Sequence, residues 1–283
     1  MTIVLRYAAF TTDPAGGNPA GVVLDARGLD DTAMQQIAAE VGYSETAFLT
    51  GETGETGETG DTAAVRPVRY FSPKAEVPFC GHATVATAVA LAERIGPGEI
   101  VFSTQAGEVP VIVDDNLRAT LTSVEPSVEP AGELADVLDI LGWSPDDLDP
   151  GLPPRIAYAG ARHLVLSTTT RQRLAELDYD FDRLLAYMLD LDLTTLQLVW
   201  RESPTVFHVR DPFPVGGVVE DPATGAAAAA FGAYLRELGQ AQPTITLHQG
   251  DDLGRPSLIT VELRPDDTRV RVSGNAVPIT APA

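Results

Sequence analysis

The chain has a single cysteine, Cys80, among its 283 residues. One thiol excludes an intrachain disulfide framework, a cysteine-rich zinc site and any mechanism that needs two thiols from one chain. Basic residues are also scarce: 19 Lys and Arg stand against 40 Asp and Glu, a net charge of −21. A phosphate backbone would be repelled, so no nucleic acid is expected as a partner. The longest apolar run, Ala226–Ala230 with Phe231, falls far short of the roughly 18 residues a membrane span needs. Met1–Arg6 lacks the basic start, apolar stretch and small-residue cleavage site of a signal peptide. A cytoplasmic protein with no membrane partner is the expectation. The four histidines, His82, His163, His208 and His248, show no metal-ligand spacing, so no metal is expected either.

A composition 44% hydrophobic and 21% charged is that of a chain with a sizeable packed core, and the length suits two domains or one large one. β-formers fill Ile3–Phe10. Dense turn chemistry follows at Asp13–Pro19, and the strand pattern resumes at Gly21–Leu24. Asp31 reads as the N-cap of a helix through Met34, Ile37, Ala38 and Val41, ended by Gly42. Three copies of Gly-Glu-Thr at 51–59 read as an exposed acidic hairpin loop. Val65–Phe71 is a strand, and a helix runs from Gly81 to Arg94. Short strands follow at 99–103, 107–113 and 117–122. The proline-bearing connection Glu125–Pro130 divides a domain 1–124 from a domain 125–283, with a return of the last strand to the first domain left open. Beyond it come a helix near 132–141, strands near 155–159 and 163–168, helices near 170–189, strands near 195–200 and 205–210, and a helix from Gly225 to Leu238. Four short strands between 243 and 280 finish the chain. The class is α+β.

Two segments share a pattern. Cys80-Gly81-His82-Ala83-Thr84-Val85-Ala86 and Thr224-Gly225-Ala226-Ala227-Ala228-Ala229-Ala230 each follow a proline, then run as a helix of small apolar residues on every side. Such helices are buried. The simplest architecture is two similar domains, each wrapping strands around one central helix. A helix start presents free N–H groups and a partial positive charge, a ready anion site. Two such starts facing one cleft would hold a small carboxylate without arginine; otherwise the two glycines serve only tight turns.

Gly16-Gly17-Asn18-Pro19-Ala20, Ser44-Glu45-Thr46-Ala47-Phe48, Cys80-Gly81-His82-Ala83-Thr84, Glu220-Asp221-Pro222-Ala223-Thr224-Gly225 and Gln249-Gly250 with Gly254-Arg255-Pro256-Ser257 resemble, in that order, the motifs of the phenazine-biosynthesis PhzF-like proteins. The resemblance runs from about residue 3 to 277. It implies the diaminopimelate-epimerase-like fold: two pseudo-symmetric domains, each a strand barrel around a central helix. It implies a cofactor-free isomerase, a homodimer, that moves a proton on a small unsaturated or cyclic carboxylic acid in the interdomain cleft. By the same resemblance Glu45 is the general acid/base, with His82 and Asp221 as its polar neighbours. Gly81 and Gly225 offer backbone donors, Asn18 sits at the rim, and Ser44 and Ala226 join the substrate-binding set. Ala226 departs from the family's serine, which bears on the substrate.

The residues also allow plainer roles. Glu45, set before an apolar run, is either a carboxylate with a raised pKa or an ordinary turn residue. His82 is a relay, a substrate ligand or a satisfied pocket histidine. Asp221 pairs with His82 or caps the second helix. Cys80 reads as a small buried side chain. Two further functions stay open: a non-catalytic small-acid-binding dimer, and a carboxylate-based epimerase using Glu45 and Asp221, disfavoured because two carboxylates repel unless one is protonated.

Overall fold

The structure, a computed structural model, describes residues 2–51 and 65–280. The Gly-Glu-Thr copies therefore lie outside the described residues, apart from Gly51. The chain divides into two compact units, Met1–Thr122 with Ser273–Ala283, and Ser123–Val272.

The first unit opens with β1 (Leu5–Ala9) and β2 (Asn18–Val23), an antiparallel pair. Helix α1 (Asp31–Val41) crosses to β3 (Glu45–Leu49), which lies parallel to β2. β4 (Val65–Phe71) runs antiparallel to β3 and carries the two-residue β5 (Glu76–Val77). Helix α2 (Gly81–Ile95) leads to β6 (Gly98–Thr104), parallel to β4, and β7 (Gly107–Val113) and β8 (Arg118–Thr122) follow as antiparallel neighbours. Helix α2 is buried from His82 to Ala92 and packs on β1, β2, β3, β7 and β8. Its alanines and threonines make this possible, since small side chains let strands approach from every side. The threonines satisfy themselves: Thr84 and Thr87 donate to the carbonyls of Cys80 and Ala83, both at 2.7 Å.

The second unit holds β9 (Ser127–Pro130), α3 (Ala135–Leu141), β10 (Arg155–Tyr158), β11 (Arg162–Thr168), α4 (Arg171–Ala175) and α5 (Phe181–Asp190). It continues with β12 (Thr195–Arg201), β13 (Val206–Pro212), the short β14 (Glu220–Asp221), α6 (Gly225–Glu237), β15 (Thr244–Gln249) and β16 (Ser257–Leu263). The pairings run β9 to β10 to β11 antiparallel, β11 to β12 parallel, β12 to β13 antiparallel, β13 to β15 parallel and β15 to β16 antiparallel. From β10 onward this repeats the order of pairings from β1 to β7 in the first unit. Strands at both ends of the series, β9 and β16, touch α6, so the sheet curls round that helix. Helices α3 and α5 cover a separate apolar layer with Val137, Leu138, Leu184 and Met188 against Leu164, Leu166, Leu196 and Leu198. The last strand, β17 (Val270–Pro278), pairs with β1 and β8. It thereby closes the first unit's strands into an eight-membered ring around α2. Among the described residues no helix is long and apolar enough to cross a membrane.

Four local expectations need correction. The cap of α1 is Asp30, whose carboxylate accepts from the Ala33 N–H at 2.8 Å, and Asp31 is the first helical residue. Asn18 and Pro19 belong to β2 rather than to the preceding turn, because Pro19 sits near the strand's start, where a missing donor is tolerated. Ser127–Pro130 is a strand, not simply a connection, since β10 supplies its hydrogen-bonding partner. Three strands, not four, finish the chain: β17 continues unbroken through Gly274, whose missing Cβ leaves room for the Phe10 ring.

Gly232 shows how closely α6 is approached. A Cβ there would lie 2.8 Å from Val261, 3.1 Å from Leu263 and 3.2 Å from Val270. Gly232→Val should therefore destabilise the protein by about 1–3 kcal/mol through overpacking, despite valine's better helix propensity. A urea unfolding series on both proteins checks this, and an unchanged midpoint would mean the strands yield freely.

Candidate active site

The first cluster lies wholly in the first unit. Gly42 ends α1 with φ of 72°, turning the chain through Ser44 into β3. Along β3 the residues Thr46–Leu49 are buried, while Glu45, the first, is only half-buried. Helix α2 starts beside it. Cys80, in extended conformation, precedes the helix, and His82 lies in its first turn. The Cys80 thiol is 3.5 Å from Glu45 Oε2 and 3.3 Å from His82 Nδ1. His82 Nε2 is 3.4 Å from Glu45 Oε2 and 3.3 Å from Ser44 Oγ. The start of α2 is held from below by Tyr70, whose hydroxyl meets Thr84 Oγ1 at 2.6 Å. Burial raises the pKa of Glu45, and hydrogen bonds from Ser44 and Cys80 oppose that rise only in part. A carboxyl in this position is poised to hold and release a proton.

Glu45, Cys80 and His82 also form a group whose donor atoms, all within 4.8 Å of one another, suit a metal ion. No metal was expected from the sequence, and the same atoms already serve one another as hydrogen-bonding partners.

The second cluster lies wholly in the second unit, at the start of α6. Asp221, on β14, is buried and accepts a 2.6 Å hydrogen bond from the Thr224 hydroxyl. Gln249 spans the turn: its Oε1 accepts from the Thr224 N–H at 3.0 Å, and its Nε2 donates to Asp221 O at 2.8 Å and to Thr224 Oγ1 at 3.0 Å. Gly250 takes φ of 76°, and a Cβ there would meet backbone oxygens of Arg255 and Pro222 at 2.3 and 2.9 Å, so this loop admits only glycine. Beside Asp221, Glu220 is held by Arg210 in a bidentate pair at 2.6 and 3.0 Å.

The structure thus gathers Ser44, Glu45 and His82 at one helix start, with Gly81 half-exposed next to them, and Asp221, Gly225 and Ala226 at the other. Asn18 is buried at the head of β2. Neither α2 nor α6 carries a side-chain cap, whereas Asp30, Thr170 and Asp180 cap α1, α4 and α5. The first N–H groups of the two central helices are thereby left to other partners. Sequence reasoning missed Asp211, Gln197 and the Arg210–Glu220 pair. The signal was there, since Arg210 and Asp211 stand as adjacent charges in the β-rich segment Val206–Pro212, and a charged pair in such a strand needs internal partners. His163 is a core residue: fully buried, bonded to Thr195 at 2.8 Å, with its pKa lowered to about 3 by burial.

A family model described as phenazine biosynthesis-like protein matches residues 7–281. The chain is 35% identical to the uncharacterized isomerase YddE of Escherichia coli strain K12, over 97% of this chain and 95% of that protein. It is 33% identical to the trans-2,3-dihydro-3-hydroxyanthranilate isomerase of Pseudomonas chlororaphis, over 95% and 94%. Among solved structures, the Bacillus anthracis phenazine biosynthesis protein of the PhzF family is similar with a TM-score of 0.84 at 26% identity, covering 98% of this chain and 96% of that one.

The Arg210–Glu220 pair generates a test of how the second cluster is held. The Glu220 side chain is 0% exposed, so Arg210→Met strands a buried charge. The expected loss is about 3–5 kcal/mol, read as a fall in the urea midpoint. Arg210→Met with Glu220→Gln should recover much of it, and no recovery would show that the guanidinium acts mainly through the Ala175 carbonyl it also binds at 2.9 Å.

Proposed function

Because the chain belongs to the phenazine biosynthesis-like protein family, we propose that it shifts a proton on a small unsaturated or cyclic carboxylic acid, without a cofactor, with Glu45 taking the proton and returning it. It is an isomerase. The observation that carries the proton-shift reading is the contact of Glu45 Oε2 with both Cys80 and His82 at 3.5 and 3.4 Å. A half-buried carboxyl with a raised pKa can act as base on one carbon and as acid on another, provided its neighbours keep it oriented. His82 holds Glu45 from one side and Ser44 from the other. Asp221, bonded to Thr224, is the second acid of the proposal. The uncapped N–H groups near Gly81 and Gly225 bind the substrate carboxylate, aided by the helix dipoles. The same proposal has both units, as two pseudo-symmetric domains, enclose the substrate, in a cytoplasmic homodimer.

The relative from Pseudomonas chlororaphis is named for its action on trans-2,3-dihydro-3-hydroxyanthranilate, an unsaturated cyclic acid, and the substrate class proposed here follows it. Ala226 in the position of the family's serine removes one hydroxyl from that site, so a different member of the class is proposed as substrate. The second reading, a small-acid-binding protein without turnover, rests on that same alanine.

Glu45→Gln separates the two readings. Burial raises the native pKa of Glu45 above its unfolded value. Its stabilising contribution is therefore complete below about pH 4, the unfolded value, and lost as pH rises through the native one. Glu45→Gln should thus melt at the wild-type temperature or above it at pH 7. Solvent deuterium incorporation into a bound acid should fall about 10²–10⁴-fold. Equal incorporation by both proteins would remove Glu45 from the mechanism. No incorporation by wild type into acids shown to bind would favour the second reading.

A further inference from the structure

Thr224 stands at the N-cap of α6, yet its hydroxyl does not cap the helix. Thr170, in the same position before α4, does what an N-cap threonine ordinarily does: its Oγ1 accepts from the Arg173 N–H at 3.1 Å. The difference lies in Gln249, which ends β15 and is 1% exposed. Two backbone groups fix the orientation of its amide. The Thr224 N–H donates to Oε1 at 3.0 Å, and Nε2 donates to Asp221 O at 2.8 Å. Turning the amide over would set donor against donor and acceptor against acceptor. The second Nε2 hydrogen is thereby directed at Thr224 Oγ1, 3.0 Å away. A hydroxyl has one hydrogen and two lone pairs. With a lone pair held by Gln249, the Thr224 hydrogen points elsewhere and goes to Asp221 Oδ2 at 2.6 Å.

We propose that Gln249 is a positioning residue: its amide fixes the rotation of the Thr224 hydroxyl, draws it away from capping α6 and commits its hydrogen to Asp221, so that this carboxylate is oriented at the start of the helix. The part played by Asp221 in turnover rests on the function proposed above; the fixing of the Thr224 hydroxyl does not.

The surroundings agree. Asp211 lies opposite Asp221 across the β13–β14 pair and is the rival acceptor in reach of Thr224 and Gln249. Gln197 serves that rival: with its amide nitrogen facing Asp211 it lies 3.1 and 3.2 Å from the two carboxyl oxygens. Each acid thus has its own glutamine, Asp211 directly and Asp221 through Thr224. Gln249 is also held by the chain that follows it. A Cβ on Gly250 would collide with Pro222 O and Arg255 O, and the Arg255 N–H closes the loop on Gly250 O at 3.0 Å. The segment that carries Gln249 is therefore packed backbone to backbone on the segment that carries Asp221 and Thr224.

Gln249→Met, which keeps the length of the side chain and removes its amide, tests this on the whole protein without substrate. In wild type the NMR signal of the Thr224 hydroxyl proton, identified by its loss in Thr224→Val, should exchange slowly with solvent and show a nuclear Overhauser contact to the Gln249 amide hydrogens. In Gln249→Met the hydroxyl should turn back on the helix, so that a crystal structure shows Thr224 Oγ1 accepting from the Ala227 N–H, as Thr170 accepts from Arg173. A hydroxyl still donating to Asp221 in that variant would overturn the proposal, because the carboxylate alone would then hold it. Should Gln249→Met fail to fold, the wild-type spectrum decides: a Thr224 hydroxyl proton that exchanges fast, or has no contact with Gln249, ends the assignment. Turnover separates positioning from support of the fold. In the deuterium assay used for Glu45→Gln, Gln249→Met should incorporate about 10–100-fold more slowly at saturating acid. Thr224→Ser should keep most of the wild-type rate, and Thr224→Val should lose it. Adding Gln249→Met to Thr224→Val should cost nothing further. Losses that multiply would overturn the proposal, since Gln249 would then act by a route other than the hydroxyl. If wild type incorporates no deuterium into any acid that binds it, the functional reading fails while the NMR and crystallographic outcomes still stand.

Discussion

Close approach of strands to a helix backbone is the constraint on which the rest of the structure depends. An α-helix usually turns one face to water. Here α2 and α6 are buried on nearly all sides, and only residues as small as alanine, threonine and glycine let sheets pack that tightly around them. Gly232 marks the limit, where no Cβ fits beneath β16. Threonines are tolerated inside α2 because each returns its hydroxyl to a carbonyl one turn back, leaving no orphaned polar group.

That packing also decides where chemistry can occur. A helix sheathed along its length is accessible mainly at its ends. At the start of α2 the chain brings Cys80 and His82 against Glu45, and at the start of α6 it brings Thr224 and Gln249 against Asp221. In both places the usual capping side chain is absent, and the polar residues bond one another instead. The helix starts are thus prepared by side chains that titrate, not by side chains that merely terminate the helix.

Carboxyl groups in such places are governed by the supply of hydrogen-bond donors. Glu220 has a guanidinium and stays in a bidentate pair. Asp211, fully buried opposite a second acid, has its pKa pushed well above the usual carboxylate range by burial and by its negative neighbours. Glu45 lies between these cases: burial raises its pKa while Ser44 and Cys80 pull it back. An acid held between the two extremes can both take a proton and return it.

Much of this was legible in the residue order. The small-residue helices after Cys80 and Thr224, the β-rich segments between them and the family motifs around Glu45, His82 and Asp221 all stand in the linear chain, because helix periodicity, turn chemistry and motif order are local properties. Sequence alone also excluded disulfides and set the large negative charge. What only the tertiary structure decided are the partnerships. Ser127–Pro130 becomes a strand because β10 lies beside it. Cys80 becomes a partner of Glu45, 35 positions away. Asp211 meets a second acid because β14 places Asp221 opposite it, and Gln197 reaches its carboxyl from a neighbouring strand. Hydrogen-bond donors and desolvation are supplied by whatever the fold brings near, and no local pattern of residues records how many donors each buried acid will find.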